Sequence, residues 1–148
     1  MNLIPKAQEY AKKWHVMSDG SPQMYGGETY YEGHLERVAS LVEAMGGDSQ
    51  TIAVAYLHDI LEDTLCPPVE ILTVFGGRIY DAVVALTKIE DVDYKWYMLM
   101  LQNNRTAIIV KFADSSVNFA TSVMDEDPDR WRRIKKYAHN IRVLEPLL

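Results

Sequence analysis

RTAIIVKFADSSVNFATSV, residues 105–123, is the stretch whose reading decides the fold. Its β-branched opening, Ile108-Ile109-Val110, would suit a strand. Beyond that opening the apolar positions continue at helical spacing, and no other segment of the chain reads as a strand to pair with it. The spacing therefore predicts one long central helix. Asp114 interrupts its apolar run, and Asn118 lies one turn later on the same side. A carboxylate buried in such a run needs a partner, so the same stretch also poses the functional question.

Working outward, residues 4–17 place Ile4, Ala7, Tyr10, Ala11 and Trp14 at three- and four-residue steps, a first helix. Residues 18–29, SDGSPQMYGGET, are rich in Gly, Ser and Pro and read as a loop. A second helix over 31–45 stops at Gly46-Gly47. Asp48 or Ser49 can cap a third helix running to Thr64, closed by Cys66-Pro67-Pro68. Pro68 suits the first turn of a short helix, VEILTVF, ended by Gly76-Gly77. Further helices are expected over 78–88, over YKWYMLMLQ (94–102), and from a capping Asp129 through Leu144. The fold class is all-α, and residues 1–148 are expected to form one domain.

Composition bounds what such a domain can do. The chain is 48% hydrophobic and 24% charged, which is globular rather than disordered. A formal charge of -6 argues against nucleic acid or an anionic membrane surface as partner. A polyanionic ligand would need a local basic pocket or a metal to offset that field. The N-terminal stretch MNLIPKAQEYAKKW is amphipathic, unlike a signal peptide, and nowhere do roughly eighteen apolar residues run together to span a membrane. The lone Cys66 excludes an intramolecular disulfide and fits a reducing, cytoplasmic setting. Oligomeric state is left open, a homo-oligomer included.

HDILEDT, residues 58–64, continues the oily run TIAVAYL yet carries a histidine and three carboxylates. On a continuous helix His58 and Glu62 are four apart, as are Asp59 and Asp63, so all four share one broad stripe. A solvated face is the plain alternative. Asp114 and His34, near the start of the second helix, favour a site: two imidazoles and two carboxylates from three helices can converge on one divalent ion. That donor set leaves positions open on a six-coordinate ion and suits Mn²⁺ or Fe²⁺ better than a closed zinc site. A metal of this kind acidifies water and polarises a phosphoryl oxygen, which points to hydrolysis of a phosphoester or phosphoanhydride. Glu62 and Asp63 would then orient water or move protons.

His34, then His58-Asp59, then Asp114 resembles the H…HD…D signature of the HD-domain phosphohydrolases. AYLHDILEDT is similar to the ALLHDxxEDT segment of the alarmone hydrolases, the RelA/SpoT group and its small stand-alone members. ALTKIED and NRTAIIVKFADSSVNF are similar to that group's LTK and VKLADxxxN blocks. The resemblance covers most of residues 5–145 in the same order. It implies an all-helical bundle with one Mn²⁺ that hydrolyses the 3′-pyrophosphate of guanosine tetra- or pentaphosphate (ppGpp), a small-molecule substrate. By that resemblance His34, His58, Asp59 and Asp114 are the metal ligands and Glu62 and Asp63 the catalytic acidic pair. Asn118 lies near the substrate's sugar, and Tyr31 matches the tyrosine of the group's PYxxH segment. Lys88, in the LTK block, and Lys111 are candidate phosphate contacts, with Lys95 a third. Tyr137 matches an aromatic of the substrate pocket or else is a core tyrosine.

Two departures bear on substrate. The group places Arg and Lys in the loop before the first ligand, whereas residues 15–33 hold neither. Ser115 also stands where the group has a basic residue. These favour an HD phosphatase acting on another nucleotide, such as NADPH or a nucleoside monophosphate; a catalytically idle nucleotide- or protein-binding domain is the remaining alternative. The intact set of six ligand and acidic residues ranks the idle domain last.

Overall fold

A computed structural model of the protein describes residues 2–148. The deciding stretch is helical, Arg105–Met124, and the Asn104 side chain caps it by accepting from the Ala107 N–H at 2.9 Å. In chain order the helices are α1 (Leu3–Trp14), α2 (Glu36–Ala44), α3 (Ser49–Leu57), α4 (Ile60–Asp63), α5 (Pro68–Phe75), α6 (Gly77–Leu86), α7 (Tyr94–Leu101), α8 (Arg105–Met124) and α9 (Arg130–Leu144). A π-helical turn, Tyr31–Leu35, leads into α2, and a short 3-10 turn, Glu145–Leu147, follows α9. The fold is all-α, as the patterning predicts.

α3 lies at the centre. Every residue from Thr51 to Leu57 is buried, so this helix is enclosed all round. α1, α2, α6 and α8 pack against it, and α9 lies along α8 on the outside. Buried apolar side chains from these helices, Leu35, Val54, Leu57, Ile60, Val83, Leu101 and Val110 among them, form one continuous cluster. α8 is thus the long helix of the bundle but not its innermost one. No helix among the described residues is long and apolar enough to cross a membrane.

The sequence-based elements need five corrections. The third helix does not run to Thr64: it breaks at His58-Asp59, where Asp59 takes φ -100°, ψ 0°, and restarts as α4. The first helix ends at Trp14, and the segment 18–29 is not all loop, since Met24–Tyr25 (β1) pairs antiparallel with Glu28–Thr29 (β2). The second helix begins as a π turn, with the Glu36 N–H bonded to the Tyr31 carbonyl five residues back. Finally, Asp129 precedes α9 without a side-chain capping bond, its backbone already helical.

The Gly46-Gly47 stop is a complete C-terminal motif. Gly46 takes φ +84° and donates to the Glu43 carbonyl at 2.9 Å, while Gly47 donates to Val42 at 2.9 Å. A Cβ on Gly47 would lie 2.6 Å from Val42 Cγ1 and 2.9 Å from the Val42 carbonyl oxygen. Gly47→Ala should therefore destabilise the fold by about 1–3 kcal/mol, the usual cost of overpacking, seen as a lower urea midpoint at unchanged slope. A midpoint equal to that of the unsubstituted protein would show that the α2–α3 turn relaxes freely.

Candidate metal centre

Three elements carry four side chains to one place: His34 from the π turn, His58 and Asp59 from the α3–α4 break, and Asp114 from α8. His34, His58 and Asp114 are buried, and the Asp59 side chain is 18% exposed, so the cluster opens on its Asp59 side. Ligand-type atoms of His34, His58 and Asp59 all lie within 4.8 Å of one another. Asp114 Oδ1 completes the group, 3.0 Å from His34 Nε2 and 3.4 Å from His58 Nε2. Asp59 Oδ2 lies 3.1 Å from His58 Nε2 and 3.7 Å from His34 Nε2.

The chemistry of this group follows from one hydrogen bond. His58 Nδ1 lies 2.6 Å from the Ala55 carbonyl oxygen, which can only accept, so Nδ1 carries a proton. In the neutral ring Nε2 then presents a lone pair. That lone pair is buried, has no donor to receive, and faces two carboxylates. A cation between them resolves the conflict. In its absence the ring must take a second proton: burial opposes that charge, but Asp59 and Asp114 overcome it and hold His58 well above the ordinary histidine pKa. The reciprocal effect keeps both carboxylates ionised. Burial works against a charged Asp59 or Asp114, yet His58 holds the first, and Lys111 with both imidazoles the second, below the usual carboxylate range. Two imidazole nitrogens and two ionised carboxylates fit a divalent ion.

Glu62 and Asp63, a turn further along α4, are exposed at the rim of the group rather than sharing a stripe with the buried pair. The break at Asp59 separates them. Glu62 Oε1 accepts from the Lys88 backbone N–H at 2.6 Å, tying α4 to the segment after α6. Burial pushes the Asp63 carboxyl up to about 6, with the charges of Asp59 and Glu62 adding to it. Asp63 can therefore hold or release a proton near neutrality.

The other sequence candidates divide. Asn118 donates from Nδ2 to Asp114 Oδ1 at 2.9 Å, and Lys111 Nζ pairs with Asp114 Oδ2 at 3.0 Å, so both hold Asp114 in place. Lys88 is half-buried, its ammonium 3.4 Å from the Ile89 carbonyl. Tyr137 is half-buried on α9 under Lys136, and Lys95 is exposed. Tyr31 is placed elsewhere. It is buried against Tyr56, ring centroids 5.8 Å apart, with Lys12 over its face. The structure thus gives Tyr31 a core position, stacked on Tyr56.

Three residues went unread in the sequence. Tyr30, not Tyr31, faces the centre, its hydroxyl donating to Asp59 Oδ2 and its ring stacked on His34. Tyr25, at the end of β1, lies 6.0 Å from the His34 ring. Lys136 stands 4.7 Å over Tyr94. The four-residue spacing of Tyr30 to His34 was the signal for the first; the other two had none.

Beside Tyr25 a cavity of about 630 Å³ runs along α8, lined by Gly26, Gly27, Val117, Thr121 and Met124. Its cation, Arg37, is held by Glu28 at 2.9 Å.

Comparison with known proteins accords with this geometry. An HD-domain family model matches residues 7–115. A probable guanosine-3′,5′-bis(diphosphate) 3′-pyrophosphohydrolase of Mycoplasma pneumoniae is 32% identical over 136 residues, covering 80% of this chain and 18% of that protein. A guanosine-3′,5′-bis(diphosphate) 3′-pyrophosphohydrolase of Aquifex aeolicus is 36% identical over 114 residues, 77% of this chain and 15% of its own. The GTP pyrophosphokinase rsh of Brucella ovis is 32% identical over 157 residues, 98% of this chain and 20% of its own. The chain thus spans about a fifth of the length of the curated relatives it matches. Among solved structures, a metazoan ortholog of SpoT that hydrolyzes ppGpp superposes with a TM-score of 0.71 at 16% identity, covering 97% of this chain and 85% of that one, which speaks to the fold. From the π turn through Ser115 the matched span takes in every buried member of the cluster, and the chain belongs to the HD-domain family.

Proposed function

We propose that the protein is a metal-dependent phosphohydrolase that removes the 3′-pyrophosphate of guanosine tetra- or pentaphosphate, with Mn²⁺ as its ion. The observation that carries this reading is the buried, unpartnered Nε2 of His58 facing the carboxylates of Asp59 and Asp114. His34, His58, Asp59 and Asp114 would hold the ion. When bound, it supplies an acidified water and a Lewis acid for phosphoryl oxygen. The names of the relatives support the substrate, and the lone Cys66 suits a cytoplasmic setting.

The chain's own residues do the rest. Asp63, held near neutrality, takes or returns the proton of the attacking water. Glu62, fixed by the Lys88 N–H, orients that water. Lys88, beside Glu62, and Lys111 and Lys136, which lie over Tyr97 and Tyr94, would meet phosphate charge. The cavity beside Tyr25 suits an uncharged nucleoside ring, since an aromatic face and apolar α8 side chains line it.

A second reading is favoured by the same cavity. Its Arg37 is already paired with Glu28, and nearby Arg133 with Asp125 and Asp127 at 2.8 and 2.9 Å. Few free cations remain there for a multiply charged nucleotide. This favours a less charged nucleotide, or a weak KM for the alarmone. Assay of the purified Mn²⁺-loaded protein against a nucleotide panel decides between them. The expected result is GDP and pyrophosphate from guanosine tetraphosphate with a high KM. Cleavage of another nucleotide alone would retain the phosphohydrolase and discard the alarmone.

Metal content tests the ligand set directly. Elemental analysis should find about one divalent ion per chain, lost in both Asp59→Ala and Asp114→Ala. Retention of the ion by either variant would mean the centre lies elsewhere.

The acidic pair should affect turnover rather than metal retention. Glu62→Gln or Asp63→Asn is expected to keep the ion and lower kcat by roughly 10²–10⁴-fold. The raised pKa of Asp63 makes it a base only above its titration, so kcat should rise with pH up to about 6. Burial raises Asp63 first and the charges of Asp59 and Glu62 second, so a bound cation offsets the second cause and places the limb of the loaded enzyme at or below about 6. A kcat limb that survives in Asp63→Asn would assign the proton transfer to another group.

A further inference from the structure

The loop before the first candidate ligand holds no Lys or Arg over residues 15–33, yet it is tightly built against the metal centre. The Tyr30 N–H donates to the Gln23 carbonyl at 2.7 Å, and the Gln23 N–H donates to the His15 carbonyl at 3.0 Å. The Gln23 side chain then accepts from His15 Nδ1 at 3.2 Å. His15 is 3% exposed and its ring lies tilted at 38° against Tyr30, 5.2 Å between centroids. Tyr30 in turn stacks on His34 at 5.2 Å and 27°, and His34 meets His58 at 5.4 Å. Four rings thus form a column from the end of α1 to the centre. From its middle the Tyr30 hydroxyl donates to Asp59 Oδ2.

We propose that Tyr30, backed by His15 and Gln23, is a positioning residue that fixes two metal ligands at once, orienting Asp59 through its hydroxyl and His34 through its ring. The inference rests on the metal-centre reading above and adds to it a role for the cation-poor loop. Asp59 needs such support more than the other three. It sits on the break between α3 and α4, caps nothing, and is the most exposed of the four. A phenol donor fixes one of its oxygens while leaving that oxygen a second lone pair for an ion. The group's PYxxH segment carries a proline at this position, which has no hydroxyl to donate, so the arrangement belongs to this chain's own sequence. Burial lowers the His15 pKa, which disfavours a charge on the ring behind the tyrosine.

The test is metal affinity, read without turnover. Chelator-stripped protein is titrated with Mn²⁺ and the free ion followed by electron paramagnetic resonance. Tyr30→Phe keeps the ring and removes only the donor. It should weaken Mn²⁺ binding by about 10–100-fold, the usual effect of losing a partner that orients a ligand, while the melting curve of the metal-free protein stays close to that of the unsubstituted chain. Tyr30→Leu, which also removes the stack on His34, should weaken it further. Affinity within about twofold of the unsubstituted protein in Tyr30→Phe, with binding abolished in Asp59→Ala, would overturn the positioning role and leave the centre standing. No Mn²⁺ binding by the unsubstituted protein would instead remove the centre itself. Should Tyr30→Phe not fold, 3-fluorotyrosine at position 30 gives the answer by ¹⁹F NMR. Its resonance should move on addition of stoichiometric Zn²⁺, and an unmoved resonance would likewise overturn the proposal.

Discussion

Everything at the centre depends on which nitrogen of His58 carries the proton. The Ala55 carbonyl is three residues back along α3, and it fixes a proton on Nδ1 before any other partner is considered. What remains is a lone pair in a buried place between two carboxylates, an arrangement that apolar packing alone would never favour. Every other polar contact nearby serves to keep those carboxylates where they are. Lys111 and Asn118 hold Asp114 from within α8, and Tyr30 holds Asp59 from the loop. Buried charge of this density is costly unless each member is paired, and the buried Nε2 of His58 has no donor among the protein groups.

Around that centre lie charges of both signs. Acidic groups at the rim, Glu62 and Asp63, face the opening, with the Lys88 backbone bonded to Glu62, while Lys111 comes from α8 and Lys136 from α9. For a chain of net charge -6, this is a local concentration of cations. Tyrosines interleave the lysines: Lys111 lies over Tyr97 and Lys136 over Tyr94. Each ring offers its negative face to an ammonium and so holds an otherwise mobile side chain near the site. Asn140, fully buried, donates to both the Tyr94 hydroxyl at 2.8 Å and Ser115 Oγ at 3.2 Å. Ser115 therefore joins α8 to α9 through Asn140, at a position where the related hydrolases carry a basic residue.

Helix content was readable because amphipathic spacing, Gly stops and Pro starts agree along the chain; α5, for example, opens on Pro68 and closes at Gly76 with φ +85°. The cluster was readable because His34, His58, Asp59 and Asp114 are ligand-type residues in apolar surroundings, where bulk packing gives them no reason to be. Unreadable were the places where backbone departs from the regular period. Tyr30 stacks on His34 while Tyr31 packs on Tyr56, a difference of one position that the resemblance to the PYxxH segment assigns the other way. The β1–β2 hairpin has strands of two residues each, too short for any alternation to register. Lys136 and Tyr25 reach the site only through tertiary packing.

Those departures share a cause. Adjacent residues on an α-helix point about 100° apart, so His58 and Asp59 cannot address a single point from within one. The chain resolves this by ending the helix between them. Asp59 adopts the sparsely populated region near ψ 0°, which swings its carboxylate back to within 3.1 Å of the His58 ring. On the opposite side His34 must project past the same point, and the wider π turn carries it there, aligned with Tyr30 four residues before it. An unbroken α3 through Thr64 and a regular α2 from residue 31 would satisfy local propensity better. They would also scatter the donors over three separate faces. The irregular backbone at both positions is thus the geometric consequence of gathering consecutive and distant side chains onto one point, and the regular bundle around α3 is what holds it.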